Sequence, residues 1–252
     1  MGFLINQTKL KRNRIMRRKP TNLRLNRNKS CRAPSITEIL SNNVWKDKTC
    51  FLIGGGPSLK GFDFTPIKNE LTIGVNKSFI EFPTTINYAM DWRFYNMVTS
   101  DDLYQQWASY KGIKLFLKRS TKSKFNDDVY VVNSLREKGL SLDLHRGIWG
   151  GNNSGFGALM LAICLGATRI GLLGYSMKVQ KEQNKIKTHW HGGYGLGRAG
   201  NFQSKLDKFR VCFEEFSSVI AKQGIEVVNL VEKSEDSKLT CFPKDFLENF
   251  LK

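Results

Sequence analysis

Short apolar runs recur along this chain, and each is closed by glycine or a polar turn. Cys50-Phe51-Leu52-Ile53 stops at Gly54-Gly55-Gly56, Leu71-Thr72-Ile73-Gly74-Val75 at Asn76, and Asn87-Tyr88-Ala89-Met90 at Asp91. Lys114-Leu115-Phe116-Leu117 and Val129-Tyr130-Val131-Val132 continue the series. Runs this short, apolar and bounded by turn residues predict buried strands. Between and after them lie two longer stretches with helical character. Over Ser154–Gly166, Phe156, Leu159, Met160 and Ile163 recur at spacings of three and four, which predicts a helix with one apolar stripe. Arg169-Ile170-Gly171-Leu172-Leu173 follows as a strand, 201–223 as a second helix, and Ile225-Glu226-Val227-Val228-Asn229 as a closing strand. Residues 242–251 could form a short amphipathic helix. Strands alternating with helices predict an α/β fold with a mostly parallel sheet.

Composition bounds the rest. A chain of 252 residues with 40% hydrophobic and 25% charged residues is globular. No apolar run is long enough for a transmembrane helix, and Met1–Ile5 is too short for a signal-peptide core. The five cysteines, Cys31, Cys50, Cys164, Cys212 and Cys241, stand singly, which excludes a zinc ribbon and argues against a disulfide framework. A reducing, cytoplasmic setting is expected, the host cytoplasm if the chain is phage-encoded. The net charge of +18 is unevenly placed: residues 1–34 hold 11 Lys and Arg and no acid, leaving 29 basic against 22 acidic residues. Residues 1–34 are therefore read as a flexible basic arm, unable to bury enough apolar surface to offset its ordering entropy. Such an arm is either a binder of polyanions, nucleic acid or anionic lipid, or a solubilising tail, and a transit peptide has the same composition. Residues 35–252 are read as one domain, opening with a capping box at Ser35 and Glu38.

Several segments carry candidate chemistry. Gly54, Gly55, Gly56, Pro57 and Ser58 follow the first strand, where a glycine turn admits a ligand to the backbone. A helix opening at Pro57-Ser58 would point its amides at a phosphate. The segment is neither a dinucleotide fingerprint nor a Walker loop. Asn76 and Lys77 follow the second strand, on the same edge of a parallel sheet, suited to a base or sugar and to a phosphate. Asp91 follows the third strand, placed either to accept from sugar hydroxyls or to cap a helix. Asn153, Ser154 and Gly155 open the long helix, as a ligand site or as a cap. Thr188-His189-Trp190-His191-Gly192-Gly193-Tyr194 lies in a long glycine-rich loop, 175–200, of the kind that forms active-site lids. His189 and His191 are candidate general bases, and Tyr175 and Tyr194 candidate phosphate donors. The His-x-His spacing is also that of a metal pair, but no cysteine or carboxylate stands beside it. His145, next to Arg146, is a weaker candidate.

The ordered set of glycine loop 54–59, Gly74–Phe79, the Asn153-Ser154-Gly155 helix, Arg169–Tyr175 and Thr188-His189 resembles one family. The chain is similar to the bacterial sialyltransferases of glycosyltransferase family 42 and the flagellin-modifying motility accessory factors. It also resembles the 6-hydroxymethylpterin diphosphokinases that share their domain. The resemblance covers about residues 48–232 and implies a Rossmann-like three-layer fold. It further implies a metal-independent glycosyltransferase with a nucleotide-sugar co-substrate and no resident cofactor. Gly55, Gly56, Pro57, Ser58 and Asn76 would hold the nucleotide, and Asn153, Ser154 and Gly155 the nucleotide and donor sugar. His189, in preference to His191, would be the base, and Tyr175 and Tyr194 would assist the leaving phosphate. No Asp-x-Asp triplet is present, in keeping with metal independence, and the basic arm departs from the family. The arm suggests a polyanionic acceptor: a modified base in DNA, as in some phages, or a surface glycan. The alternatives are diphosphate transfer to a pterin-like alcohol, with Asp91, Asp101 and Asp102 as metal ligands, and a non-catalytic nucleic-acid-binding protein on the same fold.

Overall fold

A computed structural model describes residues 33–100, 103–119, 125–182, 185–187, 189–190, 202–230 and 237–252. The basic segment 1–32, Asp101, Asp102, Thr188, His191 and Tyr194 lie outside the described residues. The strands are β1 (Thr49–Ile53), β2 (Leu71–Val75), β3 (Ile86–Ala89), β4 (Ile113–Lys118), β5 (Tyr130–Asn133), β6 (Arg169–Leu173), β9 (Glu226–Leu230) and β10 (Lys244–Asp245). They form one sheet in the order β10-β9-β6-β1-β2-β3-β4-β5, every pair parallel. A separate antiparallel pair, β7 (Gln180–Glu182) with β8 (Lys185–Lys187), lies in the segment after β6. The helices are α1 (Trp92–Ser100), α2 (Tyr104–Ser109), α3 (Ser154–Cys164), α4 (Phe202–Lys222) and α5 (Leu247–Phe250).

Alternate residues of each strand enter opposite cores, because successive side chains leave a strand on opposite faces. From β1, Cys50 and Leu52 join Ile73, Val75, Tyr88 and Leu172 under α3 and α4. Phe51 and Ile53 join Leu59, Leu173, Leu230 and Phe250 on the other face. There Phe116 and Val131 meet the aromatic group of Phe94, Tyr95 and Trp107 from α1 and α2. Both faces are covered, and this is why the strands read as unbroken apolar runs. The result is the three-layer α/β, Rossmann-like architecture expected from the sequence.

Three local expectations are corrected. The Ser35 start is a capping box, Ser35 N–H donating to Glu38 Oε1 at 3.0 Å, but it opens a single 3-10 turn, Ile36–Glu38. The turn-forming Ser41-Asn42-Asn43 follows at once, with Asn43 in the left-handed region. Just before Ser35, the Pro34 carbonyl accepts from Val131 N–H at 2.9 Å. Helix α3 is not striped but buried on every side, apart from a half-buried Gly155, because α4 closes over the face that the sheet leaves open. Near the C-terminus, Lys244 and Asp245 extend the sheet beside β9, which confines α5 to Leu247–Phe250.

Candidate functional site

The strand order runs one way from β1 through β2, β3, β4 and β5, and the other way from β1 through β6 and β9. The crevice between β1 and β6 is therefore the switch point of the sheet, where open α/β sheets bind ligands beyond the carboxyl ends of their strands. A cleft opens there, lined by Gly54–Pro57, Asn76, Asn153–Gly155, Gly174, Tyr175 and His189, with Phe202, Leu206 and Phe209 of α4 as an apolar wall. Its cavity volume of about 130 Å³ fits a phosphate or a sugar-sized group. A larger ligand must extend along the sheet edge.

The glycine loop is shaped first by its own packing. Gly54 N–H donates to the Leu173 carbonyl at 2.7 Å, and Gly56 N–H to the Gly174 carbonyl at 2.9 Å, so the chain ends of β1 and β6 are laced together. A Cβ on Gly54 would lie 2.8 Å from the Gly174 carbonyl oxygen, and one on Gly56 would overlap the same atom. Gly56 has φ −63°, open to any residue, so it is glycine for want of space. The helix anticipated at Pro57-Ser58 is one 3-10 turn, Pro57–Leu59, too short to aim amides at an anion. Pro57 lines the cleft; Ser58 does not, and its hydroxyl is buried without a hydrogen-bond partner among the described residues.

Asn76 adopts the left-handed conformation at φ 55°. Its carbonyl accepts from Nδ2 of Asn87, a fully buried residue of β3, at 2.9 Å. Its own side-chain Oδ1 is buried in the cleft wall and meets no donor among the described residues. A buried acceptor with nothing to accept is costly unless a ligand supplies the proton. Ser78 holds this turn down, its hydroxyl 2.8 Å from the carbonyls of both Ile53 and Val75. At the start of α3, Asn153 caps the helix by accepting from Phe156 N–H at 2.8 Å. The first two helical amides, Ser154 and Gly155, have no intrahelical acceptor and stand at the cleft.

His189 reaches the same cleft from the other side. Its ring packs 5.0 Å from Phe202, and the next residue anchors the segment: Trp190 donates from its ring Nε1 to the Gly54 carbonyl at 3.0 Å and from its backbone to Gly55 at 3.3 Å. Trp190 also packs on Phe64. Burial, reinforced by the positive charge of Lys77, holds the His189 imidazole down at about 4, so it is neutral at physiological pH. Burial also draws the Lys77 ammonium below its ordinary range.

The other candidates fall differently. Tyr175 lines the cleft, but its ring is wedged between Gly54 and Gly155 and its hydroxyl donates to the Gly155 carbonyl at 3.2 Å. Burial pushes that phenol far above its ordinary value. Asp91 stands outside the cleft and serves α1, its Oδ1 accepting from Arg93 N–H at 2.8 Å. His145 is exposed on the loop after β5, away from the cleft. Among the described residues, no group of three His, Cys, Asp or Glu converges on a possible metal position. Asn87, Trp190 and the apolar wall from α4 were not recognisable in the sequence, since each depends on a contact with a distant segment. No family model, curated protein or solved structure matches the chain.

Proposed function

We propose that the protein is a glycosyltransferase drawing on a nucleotide-sugar donor, with the donor's phosphate in the β1–β6 crevice and His189 as the base. The observation that carries this is the convergence of Asn76, the Asn153–Gly155 helix start and a neutral His189 on one cleft. The motif resemblance to family 42 supplies the reaction class. In the transfer, an acceptor hydroxyl attacks the anomeric carbon as the bond from that carbon to the phosphate oxygen breaks. The hydroxyl proton passes to the His189 ring, and the electron pair leaves with the nucleotide phosphate. The Ser154 and Gly155 amides and the Lys77 ammonium stabilise the charge that develops there. Asn76 Oδ1 accepts from a hydroxyl or amino group of the nucleotide.

The test is thermal shift with CMP, CDP, UDP, GDP and ADP, with and without magnesium, followed by donor hydrolysis with a His189→Gln variant. A ligand at a hundred times its Kd stabilises by about 2.7 kcal/mol. One nucleotide is expected to stabilise the protein without magnesium, and the variant to keep that shift while losing turnover. Stabilisation only by an adenine nucleotide with magnesium would replace the proposal with diphosphate transfer. No nucleotide response at all would overturn it.

A further inference from the structure

The sheet edge that holds the cleft also carries a row of cations. Lys77 follows β2, Arg93 follows β3, Lys118 closes β4 with Arg119 after it, and Arg136 follows β5. Because these strands are all parallel, the positions share one edge. Arg93, Arg119 and Arg136 are exposed. Arg119 also lies near the Tyr88 hydroxyl, which packs against Gly157 of α3, so the row reaches the helix that bounds the cleft. The same loops carry described carboxylates as well: Glu81 after β2, Asp91 after β3, which accepts from Arg93 N–H, and Glu137 and Asp143 after β5, Asp143 being engaged by Asn42 and His145 N–H, while Asp127 and Asp128 lead into β5. Lys138, on the loop after β5, is already paired with Glu215 at 2.7 Å.

Within the row stands a large aromatic side chain held in the open. Trp92 stacks on Tyr95 at 5.0 Å and leans on Phe125 at 5.6 Å, yet it is 42% exposed. Its ring is fixed from the protein side, so stacking a ligand on the exposed side costs little ordering entropy. Neighbouring strands lie about 4.8 Å apart, so the edge from β2 to β5 spans roughly 15 Å, the reach of a handful of nucleotides. Spaced cations with a fixed aromatic between them match a single strand, whose phosphates repeat and whose unstacked bases offer their faces. A duplex hides those faces in its own stack.

We infer that this edge is a binding track for single-stranded nucleic acid, with Trp92 stacking a base and Arg93, Lys118 and Arg119 meeting the backbone. It deepens the transferase reading by assigning the acceptor class, and it rests on that reading only for the chemistry. The described fold begins at residue 33, where Val131 N–H of β5 donates to the Pro34 carbonyl and Ser35 bridges Val131 in parallel, so the chain enters at the amino end of β5, and residues 1–34 hold 11 Lys and Arg in the sequence.

The test uses the full chain and a fluorescein-labelled oligothymidylate, with heparin as a polyanion that has no bases. Arg93→Gln/Arg119→Gln is expected to lower the slope of log affinity against log salt by about 1.4, or 0.7 for each single-strand phosphate left without its arginine. Trp92→Leu, which keeps apolar packing on Tyr95 and Phe125, is expected to weaken oligothymidylate binding roughly tenfold and to leave heparin binding unchanged. Wild-type affinity and salt slope in both variants would overturn the inference and leave the basic segment as the sole binding element. Equal weakening of heparin and oligothymidylate binding by Trp92→Leu would also overturn it, since the ring would then not be stacking a base. Both variants should keep the wild-type nucleotide thermal shift, so failure at the cleft and failure at the edge are separately visible.

Discussion

Asn76 occupies a backbone conformation that asparagine tolerates better than most residues but glycine adopts freely. Asn76→Gly should therefore leave the melting temperature equal or higher while reducing the shift produced by the cleft's nucleotide, since only the ligand would use the orphaned Oδ1. Gly56 poses the reverse test. Its φ is ordinary, so Gly56→Ala fails on steric overlap alone, and a loss of about 1–3 kcal/mol in denaturant unfolding is expected from overpacking against Gly174. For His189 the sign of the pH dependence is fixed by its lowered value. Between about 4 and the ordinary 6.5, the unfolded chain binds a proton that the native chain refuses, so this contribution is present above pH 6.5 and is lost as pH falls toward 4. The melting temperature of the wild type should fall more steeply over that interval than that of His189→Asn. His189 was legible in the sequence as a candidate base from its residue type and loop. Its neutrality was not, because burial and Lys77 come from other parts of the fold.

At the scale of elements, α3 joins the core to the site. Its cap, Asn153, satisfies Phe156 N–H, and Asn153→Ala should cost about 1 kcal/mol of stability, measured by urea unfolding. Leu159, fully buried between sheet and α4, should cost roughly 2–5 kcal/mol as Leu159→Ala, the signature of a helix enclosed on all sides. The connection between β6 and α4 is organised by the β7–β8 pair and by Trp190. Trp190→Phe keeps the packing on Phe64 and removes the Nε1 donor to Gly54. Donor turnover should fall several-fold with little change in melting temperature, because the bond positions His189 without holding the core. Helix α3 and the strands were visible as local apolar patterns. The short helices α1 and α2 were not, since their aromatic side chains make sense only against Phe116 and Phe125.

At the scale of the molecule, the strand order decides where chemistry can gather. The reversal at β1 leaves one crevice between β1 and β6, and the residues after four separate strands or helices meet there. The same parallel arrangement sends the loops after β2, β3, β4 and β5 to a single edge, so cations far apart in sequence lie along that edge. Among the described residues no helix is long and apolar enough to cross a membrane.

The chain's own order of residues determined the strand runs, the α/β class, the glycine loop and the position of a histidine-bearing loop. Each of these is written in neighbouring residues, through period, turn chemistry and charge. Only the tertiary structure decided that Gly54 and Gly56 are small for the sake of Gly174, that Tyr175 is a buried wedge, and that Asp91 serves a helix. It alone placed Asn87 behind Asn76 and Trp190 on the glycine loop. These facts depend on which strands lie side by side, a choice made by packing two apolar faces at once rather than by any local run of sequence.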